Sequence, residues 1–286
     1  MNFSQPITGI IEQRTSKRTY TPDAVEEEKL KKVEDFFASI EGPFGVATRF
    51  GYVETDEFAG SGKINALGTY GTIKGATRFI VGATDRKGRD MENFGYVFEK
   101  IILLATDLGL GTCWIGGIFN RSSFADKIRI EDHEVVPAIT PIGYATVRRS
   151  ITDSVIRWSA GSRSRKPWST LFHHENFETS LSDRAAGKYE RPLEMLRLGP
   201  SASNRQPWRV VKERGKDNFH LYLRRSKGYD KLIKAVDLQR IDMGIAMCHF
   251  ELTARELGLV GSWVVDEPSI GPLPERFFYS VTWAGG

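Results

Sequence analysis

Two long stretches of the chain repeat apolar residues every three or four positions. From Met91 to Leu108, the residues Phe94, Val97, Phe98, Ile101, Ile102, Ala105 and Leu108 form one broad stripe, which predicts a helix with a wide apolar face. Gly109 is its natural stop. A second such helix is expected from Leu238 to Leu257, ending at Gly258 in the same way. So many aliphatic side chains predict deep burial, with the two helices packed on each other at the centre. Val25 to Ser39 reads as a charged amphipathic helix, Glu190 to Leu198 as its shorter counterpart, and Ile7 to Gln13 as a short leading helix. Strands are expected at 47–54, 77–84, 112–116 and 138–148, then at 208–213, 219–225, 260–266 and 277–283.

This order of elements occurs twice, and the residues repeat with it. Leu103 to Ile115 (LLATDLGLGTCWI) and Leu252 to Val264 (LTARELGLVGSWV) share six of thirteen positions without a gap. The pattern predicts an α+β fold of two tandem half-repeats, each of roughly 100–150 residues, packed as an internal pseudo-dimer around the central helices. Repeat one spans 1–149 and repeat two 183–286, so that 1–286 forms one intertwined unit. Two independent domains in tandem are the alternative. The intervening segment, 150–182, has no counterpart in the second copy. Rich in Ser, Arg and Lys, it reads as a connector lying over the surface.

Composition narrows the function classes. Forty cations against 36 anions leave a net charge of +4, with the signs mixed and no basic run of nucleic-acid type. Two cysteines, Cys113 and Cys248, make no disulfide framework and fit a reducing cytoplasm. The first residues lack the order of a signal peptide, and the longest apolar run is too short to span a bilayer.

Four segments concentrate residues suited to chemistry. Arg14-Thr15-Ser16-Lys17-Arg18-Thr19-Tyr20 alternates cations with hydroxyls, the donor set that a phosphate monoester requires; taken alone it is also an ordinary polar loop. Gly199 to Trp208 (GPSASNRQPW) is a helix-to-strand connector dense in turn residues, in which Asn204 offers both a donor and an acceptor to a ring edge or a sugar-like chain. Gly109 to Gly117 (GLGTCWIGG) has the wrong order for a dinucleotide fingerprint, since the helix precedes the strand. Gly116 and Gly117 instead allow a flat ligand close to the backbone, whereas Trp114 also reads as plain core. Arg163-Ser164-Arg165-Lys166-Pro167 is a solvated charge run unless the connector folds back towards Arg14. No zinc-type spacing, P-loop or nucleophile elbow occurs, and His249 beside Cys248 reads as core.

At these four segments the sequence resembles the nitroreductase family of FMN flavoproteins, in particular members carrying both half-copies in one polypeptide. Arg14 to Tyr20 resembles the family's Arg-Arg-Ser-Ile-Arg-Lys-Phe motif, and Pro200 to Trp208 its Pro-Ser-x-x-Asn-x-Gln-Pro-Trp motif. Gly109 to Gly117 is similar to its Gly-Leu-Gly-Thr-x-Trp segment, and Arg163 to Pro167 to its basic C-terminal motif. The resemblance implies a nitroreductase-like fold with FMN bound between the halves. Arg14, Ser16, Arg163 and Arg165 would hold the phosphate, with Thr15 assisting. Arg18 would sit near flavin N1 and O2 and raise the reduction potential. Pro200, Ser201, Ala202, Ser203 and Asn204 would line the isoalloxazine edge and ribityl chain. Trp114, Ile115, Gly116 and Gly117 would form the opposing strand, with the Gly116 N–H directed at N5. NAD(P)H would deliver a hydride to N5 and leave, and a small organic acceptor would then take the electrons.

The chain departs from the family in one respect. Its first copy carries Glu41-Gly42-Pro43-Phe44-Gly45 where the Pro-Ser-x-x-Asn turn belongs, and its second copy lacks the Arg-Thr-Ser motif. One complete site is therefore expected, with no metal, and a monomer suffices because the dimer is internal. Residues 55–75 are the expected lid. An FMN carrier or sensor without turnover, and an interaction module without cofactor, are the competing readings.

Overall fold

The computed structural model describes residues 3–55, 69, 72–117, 119–146, 164–227 and 236–286. The helices are α1 (Ile7–Gln13), α2 (Glu27–Ser39), α3 (Asp90–Asp107), α4 (Arg121–Ile128), α5 (Trp168–Leu171), α6 (Asp183–Ala186), α7 (Glu190–Leu198) and α8 (Leu238–Glu256). The strands are β1 (Thr48–Glu54), β2 (Arg78–Asp85), β3 (Gly111–Thr112), β4 (Glu134–Val135), β5 (Ile139–Gly143), β6 (Phe172–His174), β7 (Trp208–Lys212), β8 (Phe219–Arg224), β9 (Gly261–Val264) and β10 (Phe277–Gly285).

They form two sheets. In the first the order is β1-β2-β5-β3 with β4 beside β2; in the second it is β6-β7-β8-β10-β9. Set aside β4 and β6, and the orders coincide strand for strand. The long helices coincide too, and each is followed by a glycine in the left-handed region, Gly109 at φ 76° and Gly258 at φ 72°.

The halves meet where α3 crosses α8. A Cβ on Gly95 would strike the Ile241 carbonyl, and one on Gly244 would strike the Glu92 carbonyl. Gly95 and Gly244 are 149 positions apart, as are Glu92 and Ile241, and the same offset aligns Leu103 with Leu252. The crossing is thus a pseudo-twofold contact, close because neither glycine carries a side chain. Arg240 of α8 clamps the first turn of α3, its Nε 2.9 Å from Glu92 Oε2 and its Nη1 3.1 Å from Asp90 Oδ1.

Each helix also serves the other half's core. Tyr96, Val97 and Leu103 of α3 pack with sheet-two residues such as Val210 and Leu221, whereas Leu238, Ile241 and Ile245 of α8 pack with Ile80 and Ile142 of sheet one. Exposing those three α8 side chains would cost on the order of 5–9 kcal/mol, comparable to the net stability of a whole domain. Each half's core thus includes side chains contributed by the other half's long helix.

The segment between the repeats differs from its expected path over the surface. Its described end forms α5 and β6, and Leu171, Phe172 and Leu181 are at most 1% exposed. β6 runs parallel to β7, pairing Phe172 with Val210, so the linking segment completes the second half's sheet. Residues 150–163 lie outside the described residues, as does most of the expected lid, 56–68 with 70 and 71. No helix among the described residues is long and apolar enough to cross a membrane.

Candidate functional site

The short helix α1 buries Ile7, Ile10 and Ile11 against both long helices and so fixes where the chain emerges at Arg14. From there the segment runs along β3. Ser16 bridges Thr112, and the Lys17 N–H donates to the Thr112 carbonyl at 2.8 Å. Thr15, Ser16 and Arg18 are half-buried, while Arg14 is only 8% exposed. The Arg14 Nε has no hydrogen-bond partner among the described residues; it stands 3.7 Å from Glu99 Oε1.

The turn after α7 is backbone-strained. Ser203, Asn204 and Gln206 have φ of 50°, 52° and 49°, in the left-handed region. Such conformations cost of order 1–3 kcal/mol each, least for Asn, and persist only where neighbours hold them. Here the Gln206 N–H donates to Ser201 Oγ at 2.9 Å, and Gln206 Nε2 donates to the Asn204 carbonyl and Oδ1, each at 3.1 Å. The Lys166 N–H donates to Gln206 Oε1 at 2.7 Å, and the Ala202 N–H to Asp242 Oδ1 at 2.9 Å. Burial pushes the Asp242 carboxyl well above the usual carboxylate range.

The basic run does fold back. Arg165 Nη2 donates to the Leu198 carbonyl at 2.9 Å and Nη1 to Asn204 Oδ1 at 3.4 Å, while Asn204 Nδ2 donates to the Ser164 carbonyl at 3.1 Å. Burial, then repulsion from Arg14 and Arg197, pushes the Arg165 guanidinium down to about 10. The positive charge of Arg14, from the first half, is thus felt at Arg165, whose guanidinium lies against Asn204. Arg163 lies outside the described residues.

The third wall is the strand after α3. Trp114 Nε1 donates to Glu99 Oε2 at 2.6 Å, and Ile115 exchanges backbone hydrogen bonds with Ile139. A Cβ on Gly116 would lie 2.6 Å from Leu238 Cδ2, so this backbone lies against the first turn of α8. Arg121 Nη2 pins the Gly116 carbonyl at 2.8 Å, and Gly117 is exposed. Trp114 and Ala202 both pack on the cluster that contains Leu238 and Ile241. The N-terminal end of α8 thus joins the Gly116 strand to the Pro200–Asn204 turn. The glycine strand and the strained polar turn lie there, and the Arg14–Arg18 segment brings phosphate-type donors beside Glu99 and β3, a set whose chemistry suits a flat, phosphorylated ligand.

Glu99, Gln206, Asp242 and Arg121 were not singled out by sequence, and His249, which reads there as core, is fully buried. The signal for Glu99 and Asp242 was an acidic residue inside an apolar helical run. The opposite seam is built differently. The Phe44 N–H donates to Asn93 Oδ1 at 3.1 Å, mirroring Ala202 and Asp242, but Val264, Val265 and Asp266 follow Trp263 where Ile115, Gly116 and Gly117 follow Trp114.

Fold and site together define an α+β, nitroreductase-like pseudo-dimer. A family model described as "Putative TM nitroreductase" matches residues 6–254, and the chain belongs to that family. The crystal structure of a "putative nitroreductase" from Thermotoga maritima is 20% identical, covering 99% of this chain and 95% of that one at a TM-score of 0.58. An FMN-dependent nitroreductase from Clostridium difficile is 24% identical over 51% of this chain and 92% of its own, at a TM-score of 0.41. A nitroreductase with bound FMN from Desulfitobacterium hafniense is 17% identical over 51% of this chain and 92% of its own, also at 0.41. A comparison with curated proteins gives no match.

Proposed function

We propose that the chain binds one FMN between its halves and acts in the cytoplasm as an NAD(P)H oxidoreductase, passing electrons to a small organic acceptor. What supports this reading is that Arg165 of the connector folds back onto Asn204 of the second half, within reach of the charge of Arg14 from the first. Crowded guanidinium groups repel one another, and a phosphate dianion between them removes that cost. Arg14, Ser16 and Arg165, together with Arg163, would hold the phosphate, with Thr15 assisting. Asn204 and the Pro200–Ser203 backbone would bound the ring edge and ribityl chain. Trp114, Ile115, Gly116 and Gly117 would form the opposite wall, with the Gly116 N–H facing the ring. Arg18 would place positive charge at the edge where a reduced ring becomes anionic. Bound FMN supplies the hydride-accepting and electron-donating chemistry, and no protein nucleophile is required. On this reading 1–149 and 183–286 form one unit joined through 150–182, and a single chain suffices.

The test is reconstitution. Purified protein incubated with FMN and then desalted should be yellow, carry one FMN per chain and oxidise NAD(P)H when a quinone or nitroaromatic is supplied. Arg14→Ala with Ser16→Ala should lose most of the flavin. Protein that retains no FMN would refute the proposal. One FMN bound without NAD(P)H oxidation would make the chain a flavin carrier.

A further inference from the structure

The deepest polar group near the seam is one that the redox chemistry does not use. Glu99 on α3 and His249 on α8 are both fully buried. His249 Nε2 lies 2.8 Å from Glu99 Oε1, and its Nδ1 lies 2.9 Å from the Met195 carbonyl. A carbonyl only accepts, so Nδ1 carries a hydrogen. Nε2 and the carboxyl then share a second proton. Wherever that proton sits, imidazolium with carboxylate or neutral imidazole with carboxylic acid, the pair has no net charge. Trp114 Nε1 occupies the other carboxyl oxygen at 2.6 Å. Arg14 Nε, at 3.7 Å, is too far for a hydrogen bond.

The second half makes the same construction without the imidazole. Glu251 on α8 accepts from Trp263 Nε1 and Tyr96 Oη, both at 2.7 Å, and from Arg255 Nε at 2.7 Å. There an arginine, Arg255, hydrogen-bonds the carboxylate directly. In the first half His249 makes that direct contact, and Arg14 stands 3.7 Å off.

We propose that His249 is a positioning residue that neutralises Glu99 and so leaves the full charge of Arg14 to a ligand phosphate. This rests on the FMN reading above. Without the imidazole's proton, Glu99 is an uncompensated anion beside Arg14 and draws that guanidinium towards itself.

The experiment compares the affinities of FMN and riboflavin, which differ only in the phosphate, by quenching of flavin fluorescence on binding. His249→Gln keeps a neutral donor towards Glu99 but removes the cation. It should weaken FMN about tenfold and riboflavin less than about twofold, roughly the loss of one charge-assisted contact. Adding Glu99→Gln removes the stranded anion and should restore FMN to within about threefold of the parent. Equal weakening of both flavins would mean a purely structural role and overturn the inference, as would a His249→Gln protein with undiminished preference for FMN. If His249→Gln does not fold, Glu99→Gln alone decides: a preference for FMN within about threefold of the parent supports the inference, and its loss overturns it. A parent protein that binds neither flavin instead defeats the FMN reading.

Discussion

Gly95 on α3 and Gly244 on α8, 149 positions apart, each lie against the backbone of the other's helix. The obstacles to a side chain there are carbonyl groups, which cannot rotate away. Gly95→Ala or Gly244→Ala must therefore push the helices apart. Each should cost at least ~2 kcal/mol, lowering the Tm by about 4–8 °C. The double variant should lose less than the sum, because both open one crossing. Thermal unfolding of the three variants checks this, and an unchanged Tm for Gly244→Ala would contradict the close crossing.

Gln206 holds the strained turn through its N–H, both side-chain amide hydrogens and its side-chain oxygen. Gln206→Ala strands the Lys166 N–H, a loss of ~1–3 kcal/mol, and frees Asn204 to leave the left-handed region. The expected result is an FMN affinity lower by about tenfold together with a fall in Tm of several degrees. Flavin titration beside a melting curve separates the two, and unaltered FMN affinity would show that the turn has other supports.

Burial, reinforced by Arg209, Arg224 and Arg205, pushes the Lys166 ammonium down to about 8 from an ordinary value of 10.5. Between those values the unfolded chain holds a proton that the folded protein has released. The Lys166 contribution to stability therefore rises with pH across that window and is least favourable below it. Lys166→Met should lack this slope. Urea unfolding of flavin-free protein at pH 7.5 and at pH 10 should show the parent gaining on the variant.

Asp242 and Asn93 are equivalent positions, each accepting a backbone N–H from a turn. Burial raises the Asp242 carboxyl, so folding retains a proton that the unfolded chain gives up once pH exceeds the ordinary 3.8. Stability is lost as pH rises from there towards the folded-state value. Asp242→Asn preserves the acceptor and removes the penalty. It should match the parent near pH 4 and be the more stable protein at pH 7. A less stable Asn variant at pH 7 would mean that Asp242 acts as a carboxylate.

The legible parts of this molecule were those specified by local pattern. The predicted ends of α3 and α8 fall within one residue of the observed ones, because an apolar stripe and a terminal glycine both mark them. Trp114 and Trp263 were readable as a repeat pair. β6 was not readable: Phe172-His173-His174 has no alternation of its own, and its strand character comes from β7. α4 was missed because its apolar face is narrow, with Phe124 and Ala125 its buried residues. In the site, the segments rich in Arg, Ser, Pro and Gly stood out. Glu99 and His249 did not, because each sits among apolar residues of a long helix and its partner lies 150 positions away.

The crossing of α3 with α8 also sets a timetable for biosynthesis. At about 5–20 residues per second, the ribosome completes α3 roughly 7–30 s before α8. Throughout that interval the flank of α3 meant for α8 has no partner, and β6, once made, waits for β7 to follow it. The docking of α3 onto α8 can begin only when the last third of the polypeptide leaves the exit tunnel.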